Sequence, residues 1–260
     1  MRVLAIGDIV GKPGRQALSK VLPELKKELM VDLVVANGEN AAGGFGLTIP
    51  VAQEIWTSGV DIITSGNHIW KKREIYPLLD GEKHLIRPAN YPPGAPGRGW
   101  TIWQSNDNIR VAVVNLAGRT FLETLDCPFR LIDTLLSELR QQSDIIIIDF
   151  HAEATSEKIA FGWYMDGRAS LVFGTHTHVQ TADERILPQG TGYITDVGMT
   201  GPRDGVLGVD RDIIIQRFIS QLPNRFTLAT GDVDIMGVWA DIDPLTGRTF
   251  HIERLYRTLT

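Results

Sequence analysis

The 260-residue sequence has a single cysteine, Cys127, so no intramolecular disulfide can form. A chain of this length buries enough surface to fold without disulfides or a structural metal. It has no apolar run near the ~18–20 residues that cross a bilayer. It has no excess of positive charge: Lys and Arg number 26 against 31 Asp and Glu, a formal net charge of −5. That balance speaks against long nucleic acid as a partner, because such a partner calls for a strongly basic face. It leaves room for a small phosphate ligand held by metal. There is no internal repeat, low-complexity tract or convincing linker, and one domain over residues 1–260 is expected. Hydrophobic residues at 43% and charged residues at 22% exclude a disordered chain. The sequence opens with a strand-like run, Arg2 to Gly7, in place of a basic and apolar leader. With one unpaired thiol, the reducing cytoplasm is the expected compartment.

What the chain does have is alternation. Val3 to Ile6, Asp32 to Ala36 and Asp61 to Thr64 are short apolar runs of buried-strand character. They end at Gly7-Asp8, Gly38-Glu39-Asn40 and Gly66-Asn67-His68. Leu18, Val21, Leu22, Leu25 and Leu29 keep helical spacing, and Pro23 among them predicts a kink or break. Val51 to Ser58 predicts a second helix. Residues 87–99, RPANYPPGAPGRG, are too rich in Pro and Gly for a helix or central strand. They predict an ordered surface loop acting as a pocket rim, a packed strap or a subunit contact in a homo-oligomer. Trp100 to Trp103 and Arg110 to Asn115 predict strands, and Phe129 to Leu139 a helix. Asp144 to Phe150 and Leu171 to Phe173 are further strands, ending at His151 and at Gly174-Thr-His-Thr-His178. Beyond residue 181 the pattern gives short strands, one helix near Asp212 to Ser220 and a C-terminal meander. Strands alternating with helices imply an α/β protein with a mainly parallel sheet.

Asp8, Glu39, Asn67, His151 and the His176/His178 pair each follow the end of a predicted strand. The carboxyl ends of parallel strands face one crevice, where ligands bind. His176 and His178, two apart in extended backbone, would face the same way. Carboxylate and imidazole donors together suit Mn, Fe or Zn. Their number exceeds what one ion requires, which points to two ions ~3.5–4 Å apart sharing a carboxylate. His84 and His251 stand beside no other candidate ligand and read as structural, as does Cys127.

These motifs resemble those of the calcineurin-like metallophosphoesterases. That superfamily carries, in order, D-x-H, G-D, G-N-H, a lone His and G-H-x-H. Here Val10 stands where the first-motif His would be, Glu39 replaces the bridging Asp, and Asn40 follows it. The departures are similar to the YmdB-like phosphoesterase branch. So are GDIVGKPGR (7–15), NGENAAGGFGLT (37–48), SGNHIW (65–70), RPANYPPGAPGRG (87–99), DFHAEATSEK (149–158) and TDVGMTGPRDGVLG (195–208). The resemblance implies a four-layer α/β/β/α sandwich, two iron or manganese ions, divalent or mixed-valence, and hydrolysis of phosphodiesters, notably 2′,3′-cyclic nucleotides such as 2′,3′-cyclic AMP. It implies that one ion takes Asp8, Glu39, Asn40 and His178, and the other Glu39, Asn67, His151 and His176. Asn40 would supply, through its amide oxygen, the ligand that Val10 cannot.

The implied reaction is attack of a metal-bound hydroxide on phosphorus, with His68 as proton donor to the leaving alkoxide or as a phosphate contact. Two divalent ions carry four positive charges. Asp8, Glu39, a hydroxide and a phosphodiester monoanion neutralise them, whereas a monoester dianion leaves an excess; small diesters are therefore favoured. Gly43-Gly44-Phe45-Gly46 and Gly198-Met-Thr-Gly201 are either phosphate-approaching loops or tight turns. Arg203 is a candidate phosphate contact. A Rossmann reading fails, because Gly7, Gly11 and Gly14 lack G-x-G-x-x-G spacing. A serine-hydrolase reading from Ser65-Gly66-Asn67-His68 fails for want of a serine after Gly7-Asp8. The remaining alternative is a regulatory protein that binds a nucleotide or partner and turns over slowly.

Overall fold

Strand Arg2–Ile6 sends its alternate side chains into different cores. Val3 and Ala5 join one apolar cluster, Leu4 and Ile6 another. The computed structural model, which describes residues 1–260, repeats this two-faced burial along its central strands. It explains why they read as unbroken apolar runs.

The chain is a mixed α/β protein. A seven-stranded sheet runs Asp8–Ile9, Met199–Pro202, Val233–Ile242, Arg2–Ile6, Leu33–Asn37 and Ile62–Thr64, with Thr249–Leu259 paired to Val233–Ile242. A six-stranded sheet runs Trp100–Gln104, Arg110–Ala117, Ile145–His151, Leu171–Thr175, Gly192–Ile194 and Arg185–Ile186. A short hairpin, Gly205–Val206 with Val209–Asp210, stands apart. Arg2–Ile6, Leu33–Asn37 and Ile62–Thr64 are parallel, as are Arg110–Ala117, Ile145–His151 and Leu171–Thr175. The sheets are not mainly parallel throughout. The C-terminal meander is an antiparallel hairpin, and Val233–Ile242 pairs antiparallel with both Arg2–Ile6 and Met199–Pro202.

Val3, Ala5, Leu33, Val35 and Ile62 of the first sheet share a cluster with Val111, Val113, Ile145, Ile147 and Phe173 of the second. Leu4, Ile6, Val34 and Ala36 pack instead with Leu18, Leu22, Leu25, Ala52 and Ile55, from helices Gly11–Glu28 and Ile49–Thr57. Ala112, Val114, Ile146 and Ile148 pack with Ile132, Leu136 and Leu139 of helix Pro128–Gln142.

Helix Gly11–Glu28 runs unbroken through Pro23. Pro23 is exposed, as is Ser19, whose carbonyl loses its usual partner to the proline ring, so water can satisfy that carbonyl. Helix Thr155–Tyr164 is not legible from periodicity, because its buried face includes Lys158 and Gly162 beside Phe161. Gly162 lets Tyr193 approach: a Cβ there would lie 2.3 Å from the Tyr193 ring.

Residues 87–99 form no helix or strand, as the composition predicts. They wrap the Arg87 side chain, whose guanidinium donates to the carbonyls of Pro88 (2.8 Å), Ala89 (3.3 Å), Ala95 (3.3 Å), Pro96 (3.3 Å) and Gly97 (3.2 Å). A buried planar fork thus replaces the backbone ladder that this proline-rich stretch cannot make. Arg87→Lys keeps the charge and loses the fork. It should lower unfolding free energy by about 1–3 kcal/mol, because the buried Pro88 carbonyl and several half-buried ones lose donors. Urea denaturation of the variant checks this; an unchanged midpoint would show that the fork is dispensable.

Candidate metal centre

Each candidate ligand reaches the site by a different device. Asp8 lies in a two-residue strand against Met199–Pro202, and its N–H donates to Gly198 O at 3.1 Å. The chains approach so closely that a Cβ on Gly7 would fall 2.1 Å from Gly198 O. Glu39 and Asn40 lie in the turn after Leu33–Asn37, where the Glu39 N–H donates to Asn37 Oδ1 (3.1 Å). Asn67 and His68 open a 3₁₀ turn, and the His68 N–H donates to Glu39 Oε2 at 2.9 Å. His151 ends strand Ile145–His151.

His176 and His178 correct the expectation of extended backbone. Strand Leu171–Thr175 has already ended, and they carry φ of 101° and 64°. The reason is that the His176 N–H donates to Asp8 Oδ2 (3.0 Å) and the Thr177 N–H to Asp196 Oδ2 (3.2 Å), which turns the chain. Left-handed non-glycine residues cost ~1–3 kcal/mol each and persist where surrounding contacts over-determine them. Asp196 supplies part of that constraint through an ion pair with Lys158 at 2.5 Å, buried on both sides, while Lys158 also donates to Thr175 O at 2.7 Å.

All seven candidate ligands converge. Asp8, Glu39 and His151 are wholly buried. His178 Nε2 lies 3.8 Å from Asp8 Oδ1 and 3.1 Å from Asn40 Nδ2. Asn40 Nδ2 donates to Asp8 Oδ1 (3.5 Å) and Glu39 Oε1 (3.3 Å). The nitrogen of the Asn40 amide, and not the expected oxygen, therefore faces these acceptors, and Asn40 Oδ1 lies 2.7 Å from His68 Nδ1. His151 Nε2 is 3.3 Å from Glu39 Oε1, 3.2 Å from Asn67 Oδ1 and 3.0 Å from His176 Nδ1. Ligand atoms of Glu39, His151 and His176 all lie within 4.8 Å of one another.

The surrounding network assigns the ring protons. The Thr175 hydroxyl donates to Asp149 Oδ1 (2.7 Å), so it accepts from His151 Nδ1 (2.9 Å). In the neutral ring that a bound cation would select, the lone pair of His151 is then on Nε2. His176 Nε2 lies 3.0 Å from Glu153 Oε2, and a proton drawn to that side puts the lone pair on Nδ1. Two imidazole nitrogens, a carboxylate and an amide oxygen thus meet at one spot. This donor set fits a cation, and carboxylates holding the far ring nitrogens are the usual support of metal-binding histidines.

Electrostatics agree with the crowding. Burial raises the Asp8 carboxyl, with His178 and His151 opposing. Burial also opposes ionisation of Glu39, but His151 outweighs it and holds that carboxyl at about 2. Burial opposes protonation of His151, yet Glu39 and Asp8 lift it to about 9. His176 is pushed down to about 3 by burial and by His151. Asp149, behind the ligands, is raised to about 7 by burial.

The ligands open onto a cavity of about 790 Å³ lined on one side by Glu39, Asn40, His68, Glu153, His176 and His178. Val10, at the position of the missing histidine, also lines it. Gly43-Gly44-Phe45 lines the cavity, but Gly198 and Gly201 do not. They belong to the close approach beside Asp8. Arg203 faces Asp234 at 3.9 Å and is not part of the lining, nor is any of residues 87–99, which pack around the Arg87 side chain instead. His84 and His251 are remote from the cluster; His251 packs on Trp239, ring centroids 4.5 Å apart. Glu153, Asp149, Thr175, Lys158 and Asp196 escaped motif reasoning. The only sequence signal for them is their place within the stretches 149–158 and 195–208 and in the Gly174–His178 motif.

A buried cluster of carboxylate, amide and imidazole at the strand ends of two sheets, open to one cavity, is a candidate metal-ligating site. Residues 4–255 match the model of the YmdB-like protein family. A 2′,3′-cyclic-nucleotide 2′-phosphodiesterase of Bacillus subtilis (strain 168) is 54% identical over 98% of this chain and 96% of its own. The crystal structure of a hypothetical protein from Thermus thermophilus is 41% identical and superposes with a TM-score of 0.93 over 99% of both chains. That of a novel phosphatase from Mycoplasma pneumoniae is 33% identical, with a TM-score of 0.93 over 99% of this chain and 93% of that one. The chain belongs to the YmdB-like family.

Gly66 is where backbone passes closest to the cluster. A Cβ there would lie 2.2 Å from His151 Nε2 and 2.4 Å from Glu39 Oε2. Gly66→Ala should therefore empty the site, with bound metal by element analysis falling several-fold. Gly81→Ala, whose Cβ meets nothing within 4 Å, should retain it. Equal metal content in the two variants would contradict this placement.

Proposed function

We propose that this chain is a di-metal phosphodiesterase that hydrolyses small phosphodiesters, 2′,3′-cyclic nucleotides first among them. The observation that carries the reading is the convergence of the ligand atoms His151 Nε2, His176 Nδ1, Glu39 Oε1 and Asn67 Oδ1. The 54% identity to a 2′,3′-cyclic-nucleotide 2′-phosphodiesterase supports the substrate. Asp8, Glu39, Asn40 and His178 would hold one ion and Glu39, Asn67, His151 and His176 the other; iron and manganese suit these donors. When bound, the ions supply a water of lowered pKa and positive charge for the phosphoryl oxygens. The three apolar clusters support a four-layer α/β/β/α sandwich built as one domain over residues 1–260. No helix is long and apolar enough to cross a membrane. A half-buried free Cys127 suits a reducing cytoplasm.

His68 is the proton donor in this reading. It lines the cavity beside the ligands, and Asn40 holds its Nδ1. An Asn40 amide turned to give its oxygen to an ion presents its NH₂ to His68. Nδ1 then accepts, and the ring proton resides on Nε2, free to pass to a leaving alkoxide. Burial lowers the His68 pKa, so the ring is neutral near neutral pH and its donor is that N–H. Glu153, also on the cavity, adds negative charge that disfavours a monoester dianion over a diester monoanion.

Element analysis of loaded protein tests the centre. Two ions per chain are expected, with Glu39→Ala losing both and His178→Ala mainly one. A single ion in the intact protein would reject the shared site. In a panel of 2′,3′-cyclic AMP, 3′,5′-cyclic AMP, p-nitrophenyl phosphate and single-stranded RNA, the 2′,3′-cyclic nucleotide should give the highest kcat/KM. A monoester or RNA in first place would overturn the substrate class. His68→Ala should keep both ions and lose roughly 10²–10⁴-fold in kcat on 2′,3′-cyclic AMP. The loss should be smaller on bis-p-nitrophenyl phosphate, whose phenolate departs without a proton. Equal losses on the two would reject proton donation.

A further inference from the structure

The cavity has a second end that the metal centre does not explain. Phosphate at the ions needs only the polar end, yet the space is about 790 Å³, towards the top of the ~300–1,000 Å³ range of small-molecule sites. Its far wall is apolar, formed by Leu207, Val209, Ile214, Phe226 and Leu228.

Two rings stand where that wall meets the polar end. Phe45 lies edge-on to His68, centroids 5.1 Å apart at 77°. Phe226 lies nearly parallel to Phe45, at 6.4 Å and 23°. The Arg217 guanidinium caps Phe226 with its carbon 5.0 Å from the ring centroid. Phe45 is not a core residue, being 38% exposed. It is held in the cavity by Gly43, Gly44 and Gly46, whose φ values of 71°, 96° and 81° other residues rarely adopt. The chain thus spends three left-handed glycines on aiming one aromatic ring at the space beside His68. A phosphate gains nothing from that ring, whose face is electronegative. A flat aromatic ligand does gain, because bases stack on phenylalanine whatever their sequence, and a guanidinium adds cation–π attraction and donors for base acceptors.

We infer that Phe45 and Phe226, with Arg217, form a nucleobase subsite that gives the enzyme its preference for nucleotides over base-free diesters. This rests on the phosphodiesterase reading and extends it from the reacting group to the base. The test compares kcat/KM for 2′,3′-cyclic AMP with that for methyl riboside 2′,3′-cyclic phosphate, which has the same reacting ring and no base. The intact enzyme should favour the nucleotide roughly 5- to 100-fold, the scale of one stacked base. Phe45→Ala and Phe226→Ala should collapse that ratio towards one, mainly through KM for the nucleotide. Phe45→Trp should restore it. Phe250→Ala, an exposed phenylalanine outside the cavity, should leave it alone. A ratio near one in the intact enzyme, or one that survives in both alanine variants, would overturn the subsite. Saturation-transfer NMR with adenosine, which has no phosphate, separates the two readings. Transfer to the purine protons that Phe45→Ala abolishes supports the subsite even if no diester is hydrolysed, which would defeat the phosphodiesterase reading alone. Absence of transfer together with base-independent hydrolysis would defeat the subsite alone.

Discussion

Glu39 is a carboxylate held entirely out of water at the seam between two sheets, and the rest of the structure is arranged to answer it. A buried charge without partners costs several kcal/mol or more. Here the answer comes from both sheets: the His68 N–H and the Asn40 amide on one side, His151 from the other. Neither sheet can slide without stranding the carboxylate. The same demand explains the bare backbone at Gly66, where any side chain would occupy the space between Glu39 and His151.

A second ring of polar contacts fixes the first. Thr64 and Thr175 both donate to Asp149, and Thr175 accepts from His151, so a carboxylate that touches no ligand sets the orientation of one. The Lys158–Asp196 pair ties helix Thr155–Tyr164 to the segment bearing His176 and His178. Fully satisfied buried networks of this kind rigidify a site, and strained backbone at the two histidines is tolerated because such contacts leave no alternative.

The cavity divides labour along its length. Carboxylate, amide and imidazole groups crowd one end; rings and aliphatic side chains form the other. The roof, which includes the hairpin at 205–210 and helix Arg211–Ser220, has a different character from the sheets. That helix has no fully buried residue and is capped by the Asp210 side chain, which accepts from the Asp212 and Ile213 N–H groups. It rests on the rigid base and does not contribute to its core.

The sequence by itself determined the central strands, because two-sided burial demands apolar runs, and it pointed to the candidate ligands, because most of them stand just after such a run. It also showed that residues 87–99 could not be regular structure. It did not determine the antiparallel placement of Val233–Ile242, since pairing partners far apart in the chain leave no local pattern. Nor did it show that helix Gly11–Glu28 survives Pro23, which depends on that face being exposed, or that helix Thr155–Tyr164 buries a lysine, which depends on Asp196 in a distant segment. The reach of His176 and His178 through left-handed backbone, the hydrogen bonds from Asp149 through Thr175 to His151, and the ring of Phe45 beside His68 all arise only when remote segments meet. Local composition encodes which residues can bind a metal; only tertiary contact decides which atom of each one faces it.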